Sequence, residues 1–118
     1  MVVTDTGKQK IVEWLIGNNP NHPNSIAIGT SSQTPSETDS SLYGEITRSS
    51  VSATQSNEIA TFETTLDTTQ ATGNYLREIG LFNSTNPTSG DMFVRNTFAE
   101  IEKTNNVEVQ FEQRMEVE

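Results

Sequence analysis

Two apolar segments that flank a break rich in Gly, Pro and Ser constrain the fold of this chain most strongly. The first covers residues 74–82 and ends in Arg-Glu-Ile-Gly-Leu-Phe, and the second covers residues 91–98. Strand-like runs joined by a turn-rich break pair as an antiparallel hairpin, so the sequence predicts a β-hairpin with its tip at residues 83–90. The segments contain no catalytic grouping, which favours a structural or binding module over an enzyme.

The end of the chain carries the clearest strand pattern. Apolar residues alternate on one face with a single interruption at Gln113, and the other face is polar and mostly charged. This period of two predicts an antiparallel strand with one buried and one solvated face. The apolar face consists of Val107, Val109, Phe111, Met115 and Val117.

The remaining segments complete the predicted fold. Further strands are expected at residues 25–30, at 45–55 with a bulge near 49–50, and at 59–66. Residues 4–17 have helical spacing of apolar side chains, a Thr to cap the start and Gly17 as a stop. The sequence predicts one domain over residues 1–118, an all-β antiparallel sandwich of about six to seven strands with one N-terminal α-helix.

Composition limits the classes of function. The chain has a net charge of -9, an apolar fraction of 31% and no cysteine. An acidic chain does not neutralise phosphates, which argues against nucleic acid and anionic membrane partners. Without cysteine, disulfides and thiolate metal sites are excluded. No signal peptide or membrane-spanning run is recognised, so we expect a product made in the host cytoplasm.

A low apolar content also predicts a thin core. The polar loop at residues 31–41 has almost nothing to bury, so we expect a neighbouring subunit to order it or the loop to remain mobile. Symmetric assembly would supply the missing contacts.

No residue pattern points to catalysis. His22 is the only histidine and lies in a loop, so the sequence predicts no enzyme and no catalytic residue. No cofactor is predicted, but a calcium site using Glu37, Asp39 or Asp67 remains open, because calcium prefers oxygen ligands. A rival class is a small carbohydrate-binding module that presents Tyr43, Tyr75 or Trp14 to a sugar.

The first strand of the hairpin mixes charged and apolar residues. Strict alternation places Leu76, Glu78, Gly80 and Phe82 on one face and the residues between them on the other. A charge on an apolar face needs a partner, so we expect an ion pair within the sheet or to a neighbouring subunit. Gly80 favours a close backbone approach or a bulge.

Read in order, four segments resemble small tail proteins of phages and prophages, including the N-terminal modules of some tail fibres. The segments are Trp-Leu-Ile-Gly at residues 14–17, Ser-Ile-Ala-Ile-Gly-Thr at 25–30 with the Ser/Thr/Pro loop that follows, the hairpin strands with Arg-Glu-Ile-Gly-Leu-Phe and Met-Phe-Val-Arg at 92–95, and Ile-Glu-Lys-Thr at 101–104 before the last strand. The resemblance covers nearly the whole chain, and the block at residues 77–82 is the most specific part.

The resemblance implies a non-enzymatic virion structural protein that assembles as a symmetric oligomer in the tail, baseplate or fibre region. A capsid-surface decoration or turret protein of the same particle is the alternative. The implied partners are other copies of the chain and other virion proteins, and contact with a host surface remains open. The residues predicted to make these contacts are Trp14, Leu15, Tyr43, Arg77, Glu78, Asn83, Pro87 and Arg95, together with the loop at 31–41 and the hairpin tip.

Overall fold

The computed structural model describes residues 2–18 and 21–117, and within them the chain forms one helix and eight strands. The helix, α1, covers Asp5–Leu15. The strands are β1 (Val2–Val3), β2 (Ser25–Gly29), β3 (Glu45–Ser50), β4 (Ser52–Ser56), β5 (Ile59–Leu66), β6 (Asn74–Phe82), β7 (Met92–Lys103) and β8 (Val109–Glu116).

The strands form two antiparallel sheets, which confirms the all-β sandwich with an N-terminal helix. The five-stranded sheet has the order β1-β7-β6-β2-β3, and the three-stranded sheet has the order β4-β5-β8. The strand number exceeds the predicted six to seven for two reasons. Val2 and Val3 pair with β7, and the predicted strand at residues 45–55 divides at Val51, where the chain passes from one sheet to the other.

The main core lies between the two sheets. Apolar side chains of β2, β6 and β7 meet those of β5 and β8 across this interface, which confirms the predicted apolar face of the last strand at Phe111. Val109 and Met115 pack against the same core, whereas Val117 lies beyond the strand and is exposed. The buried members are Ile26, Ile28, Phe62, Leu66, Leu76, Ile79, Leu81, Phe93, Val94 and Phe111.

A second, smaller cluster covers the opposite face of the five-stranded sheet. Ala27, Leu42, Phe82 and Met92 are buried together there. Leu42 comes from the segment between β2 and β3, and it lies so close to Gly80 that an added Cβ would approach its Cδ2 to 3.0 Å. The close approach predicted at Gly80 is therefore confirmed. With both faces covered, every residue of β2 is buried.

Irregular pairing between β6 and β7 changes the predicted alternation. Leu76 pairs with Ile101 but Glu78 pairs with Thr97, so only Arg77 is unpaired on β6 whereas three residues, 98–100, are unpaired on β7. The bulge therefore lies in β7, opposite Arg77. Leu76 shares the main core with Ile79 and Leu81, so its predicted position on the same face as Glu78 and Phe82 is wrong, because the strands depart from regular pairing at this point.

The helix is anchored at its start. Thr4 is the N-cap, and its Oγ1 accepts from Gly7 N at 2.9 Å and donates to Met92 O at 2.5 Å. Gly7 lies directly over β7, where an added Cβ would come within 2.6 Å of Phe93 O. The predicted stop is confirmed at Gly17, which adopts φ 73°, whereas Asn19 and Pro20 fall outside the described residues. No helix in the described segments is long and apolar enough to span a membrane.

Candidate interaction surface

A buried carboxylate anchors the long segment that connects β2 and β3. Glu78, on the outer face of the five-stranded sheet, is fully buried. Its Oε2 accepts from Ser31 N at 3.1 Å and from Gly44 N at 2.8 Å, and its Oε1 accepts from Tyr43 N at 3.1 Å. Both ends of the segment are thereby fixed to the middle of the sheet. We call residues 31–44 the latched loop.

Arg95 of β7 completes this anchor and supplies the opposite charge. The Nε of Arg95 donates to Glu78 Oε1 at 3.0 Å, and its Nη1 donates to Gln33 O at 2.8 Å and lies 3.4 Å from Asp39 Oδ2. The guanidinium also stacks 4.6 Å from the centre of the Tyr43 ring. A buried charge is tolerated when it is paired and hydrogen-bonded. The pairing is complete, and Nε and Nη1 are hydrogen-bonded, whereas Nη2 lies 3.0 Å from Glu78 Oε1 without an aligned hydrogen bond.

This anchor changes two expectations. Contact of Glu78 and Arg95 with another subunit was predicted, but neither side chain reaches the surface because they pair with each other inside the sheet–loop interface. The alternative of an ion pair within the sheet is confirmed. The latched loop was expected to be ordered by a neighbour or mobile, and that is also wrong, since side chains of β6 and β7 of its own chain order it.

The hairpin tip is held in a similar way by Arg48 of β3. Its Nη1 donates to Ser84 O at 2.8 Å and to Ser89 O at 2.7 Å, and its guanidinium lies 3.9 Å from the centre of the Phe82 ring. Glu45 neutralises the charge at 2.8 Å. These contacts fix both arms of the tip against the edge of the sheet.

Within the tip, the predicted contact residues differ in accessibility. Asn83 bridges the arms, because its Nδ2 donates to Asp91 Oδ2 at 3.2 Å and its Oδ1 accepts from Asp91 N at 2.8 Å. Pro87 is exposed. Asn83 therefore shapes the loop, and Pro87 lies on its accessible surface.

Two further predicted contact residues lie beside the latch. Arg77, which lies opposite the bulge of β7, donates to Thr30 O at 3.0 Å and pairs with Glu100. Tyr43 is more than half exposed, and its hydroxyl donates to Asp39 Oδ1 at 2.9 Å. This hydrogen bond, followed by desolvation, raises the pKa of Tyr43. The ring is thus accessible on the surface of the latched loop, although Arg95 covers one face.

The end of α1 presents three large exposed aliphatic residues. Val12, Leu15 and Ile16 are 58%, 81% and 74% exposed. At 3.6 residues per turn they form one continuous arc of about 200° with Ile11 and Trp14. We call these five residues the apolar belt. The sequence prediction named Trp14 and Leu15 but did not single out Val12 and Ile16, whose exposure is seen only in the structure.

An apolar groove of about 360 Å³ adjoins the belt. Ile11 and Trp14 form one wall, and the opposite wall includes Ile59, Met115 and Val117 of the three-stranded sheet and its end. Trp14 packs on Phe93 with ring centres 5.3 Å apart. Its buried Nε1 has no hydrogen-bond acceptor within the described residues, which is costly for an indole donor in isolation.

The other candidate residues do not converge on a site. His22 is exposed, with Nδ1 3.1 Å from Pro23 O. Of the three calcium candidates, Glu37 pairs with Lys8, Asp39 bonds to Tyr43, and Asp67 accepts from Thr69. The hydrogen bonds from Thr69 lower the pKa of Asp67. Among residues 2–18 and 21–117, no three His, Cys, Asp or Glu side chains group in a way that would hold a metal ion.

The three aromatic residues considered for sugar binding belong to different parts of the structure. Tyr43 belongs to the latched loop, Trp14 to the apolar belt, and Tyr75 lies at the start of β6, where the Arg77 guanidinium is 5.8 Å from its ring centre. No two of these three rings are in contact in the part of the chain that the structure describes. A flat platform for a sugar ring is not formed by them.

Comparison with known proteins finds no relative: no family model, curated protein or solved structure matches the chain. The function is therefore inferred from the residues of the chain itself. The apolar belt, its groove, the latched loop and the clamped hairpin tip are the features from which it must follow.

Proposed function

We propose that the protein is a non-enzymatic structural subunit of a tailed virus particle, and that it assembles as a symmetric oligomer in the tail, baseplate or fibre region. The observation that carries the proposal is the apolar belt with its adjoining groove. Chemistry of this kind binds other proteins, because large aliphatic side chains gain free energy only when they are covered. The sequence resemblance to phage tail proteins supplies the setting.

The exposed aliphatic area is large enough to support association. Leu15, Ile16, Val12 and the adjacent Val117, which is 78% exposed, represent about 4–9 kcal/mol per subunit when burial energies of aliphatic side chains are scaled by their exposed fractions. Two such surfaces in contact provide about twice that. Association itself costs about 4–15 kcal/mol, so burial of the belt is of the size needed to drive assembly.

The polarity of the surface also fits a protein partner. The groove has one charged lining residue, Glu58, although the chain as a whole carries a net charge of -9. Subunits that meet through this surface keep most of their carboxylates apart.

Light scattering over a range of protein and salt concentrations tests the proposal. We expect the wild-type chain to form a defined oligomer, and added salt to favour it, because screening weakens repulsion between acidic subunits. Leu15→Glu places a charge in the belt and should shift the mass toward the monomer. Gln9→Glu adds the same charge to an exposed position of α1 outside the belt and should leave the mass unchanged.

Two results would contradict the proposal. The first is a wild-type chain that stays monomeric up to millimolar concentration at every ionic strength. The second is an oligomer whose mass Leu15→Glu leaves unaltered. Thermal unfolding of both variants serves as the folding control. The masses are compared only if the two variants have the same melting temperature.

A further inference from the structure

β4 is a free edge of the three-stranded sheet. It pairs only with β5, and all five of its residues are exposed. One side of its backbone therefore presents N–H and C=O groups to the surroundings. Such an edge is a template for another strand unless the chain protects it.

The two edges of this sheet are protected to different degrees. β8, at the other edge, carries Glu112, Arg114 and Glu116 on its solvent face. β4 has the sequence Ser-Ala-Thr-Gln-Ser, with no charge and no proline. Charged side chains and proline are the usual means of blocking edge-to-edge pairing, so the edge at β4 is unguarded.

The strand that precedes β4 extends this uncharged edge. β3 is the outer strand of the five-stranded sheet and leads into β4 through Val51. Its two charged residues, Glu45 and Arg48, bind each other, and their side chains are only 7% and 1% exposed. From residue 45 to residue 56, no charged side chain projects freely into solvent.

We infer that β4 pairs in antiparallel fashion with β4 of a second copy across a two-fold axis at Thr54. This register pairs all five residues, and any shift along the strand removes pairs. Ser52 then faces Ser56 of the second copy, and Thr54 faces its own equivalent. The two three-stranded sheets become one six-stranded sheet.

The acidic charge of the chain favours β4 of a second copy over β8 as the partner strand. Like charges directly opposite each other on paired strands are destabilising, and of the two edges of the three-stranded sheet only β4 carries no carboxylate. Pairing of β4 with β8 of a second copy would be heterologous, so each added copy would leave one edge free for the next unless the subunits closed into a ring. A two-fold contact closes after two copies.

Thr54 is well placed for a test. It pairs with Thr61, whereas its neighbour Ala53 pairs with the core residue Phe62. Because side chains alternate, Thr54 lies on the solvent face of the sheet, and a charge there does not enter the core.

The test is a charge exchange at Thr54, measured by sedimentation equilibrium of the full chain. We expect Thr54→Glu and Thr54→Lys each to weaken dimer formation at least tenfold, because each places like charges across the axis. An equimolar mixture of the two variants should restore the dimer, since the facing charges are then opposite. Gln110→Glu and Gln110→Lys on the exposed face of β8 are the matched controls and should have no effect.

The measurement is made both in the wild-type background and with Leu15→Glu, which separates this contact from the apolar belt. Absence of a dimer in both backgrounds would overturn the inference, as would dimers that Thr54→Glu does not weaken. Failure of the mixture to recover would overturn the two-fold register at Thr54. Absence of a dimer in both backgrounds would also count against the proposed function. The results at Thr54 do not depend on whether Leu15→Glu alters the oligomer, so they judge the β4 contact separately.

Discussion

Replacement of Arg95 by methionine should release the latched loop. Methionine keeps much of the apolar volume beside Tyr43 but removes the Nε donor 3.0 Å from Glu78 Oε1 and the Nη1 donor 2.8 Å from Gln33 O. The Glu78 carboxylate would then remain buried without its countercharge. Removing one partner of a buried ion pair costs about 3–5 kcal/mol.

Three backbone donors moderate this loss. Ser31, Tyr43 and Gly44 still donate to Glu78, and hydrogen bonds to a charged group are worth about 1.5–3 kcal/mol each. We therefore expect a loss near the lower end, about 3 kcal/mol. Domains of this size are stable by about 5–15 kcal/mol, so the variant should fold with a lowered urea midpoint.

The assay combines urea unfolding with hydrogen exchange at the amides of Ser31, Tyr43 and Gly44. These amides should lose protection more than those of β5, which lies in the other sheet. Arg114→Met removes the same charge from an exposed position of β8 and should cost less than about 0.5 kcal/mol. A loss below about 1 kcal/mol for Arg95→Met, with the three amides still protected, would refute the role assigned to the ion pair.

Two further predictions concern α1. Gly7→Ala should lower the free energy of unfolding by about 1–3 kcal/mol, because its Cβ would meet the backbone of Phe93 at 2.6 Å. Urea unfolding measures this loss, and Gln9→Ala on the exposed face of α1 is the control. An equal loss for the two variants would contradict the contact. The hydrogen bond from Lys8 holds the pKa of Glu37 below 4.5, so its stabilising effect is present above that value and is lost as pH falls through the lowered pKa. In an NMR titration, Lys8→Met should raise the midpoint of Glu37, and an unchanged midpoint would show that the pair does not persist in solution.

The parts of the fold that sequence predicted are those governed by local periodicity. The helix and the last strand each turn one apolar face inward, and the spacing of their apolar residues shows this directly. Phe111 and Met115 are examples, since each lies two residues from the next inward-facing position. The hairpin is buried on both faces at residues 79–82 and 92–95, and it was predicted from two apolar runs joined by a turn-rich break. The end of the helix at Gly17 was predicted for the same local reason, because a positive φ favours glycine.

The features that sequence missed depend on residues far apart in the chain. The bulge of β7 opposite Arg77 changes the face of Leu76, and nothing in the sequence of β6 indicates it. The second apolar cluster joins Leu42 to Phe82 and Met92 of the hairpin, which follow it in the chain only after β3, β4 and β5. No short stretch of the sequence contains both Leu42 and its partners Phe82 and Met92, so local patterns could not predict this cluster.

The candidate surface was predicted only in part. Leu15 was identified because it belongs to an apolar stripe, but the sequence did not indicate which part of the stripe faces the sheet. Arg95 was assigned to an interface because a charged residue among apolar ones suggests a partner outside the chain. Its partner, Glu78, is on the adjacent strand, and only the register of β6 with β7 reveals this.

The unguarded edge was present in the sequence but carried no recognisable signal. The sequence predicted a strand over residues 45–55, which includes most of Ser-Ala-Thr-Gln-Ser, but it did not indicate that this strand lies at the edge of a sheet. Its significance comes from the position of β4 at the end of a sheet and from the charges on β8 at the other end.

The way Glu78 holds the latched loop has a consequence for how the surface of the protein can vary. The carboxylate binds backbone amides of the loop, and Arg95 binds the carbonyl of Gln33. Main-chain groups are the same in every amino acid except proline. Asp39 and Leu42 point inward, Tyr43 stacks on Arg95, and a Cβ at Gly44 would lie 2.8 Å from Thr30 Oγ1. At its other positions the loop can therefore exchange side chains while keeping its shape. Substitutions there would change the chemistry of this surface without changing its backbone.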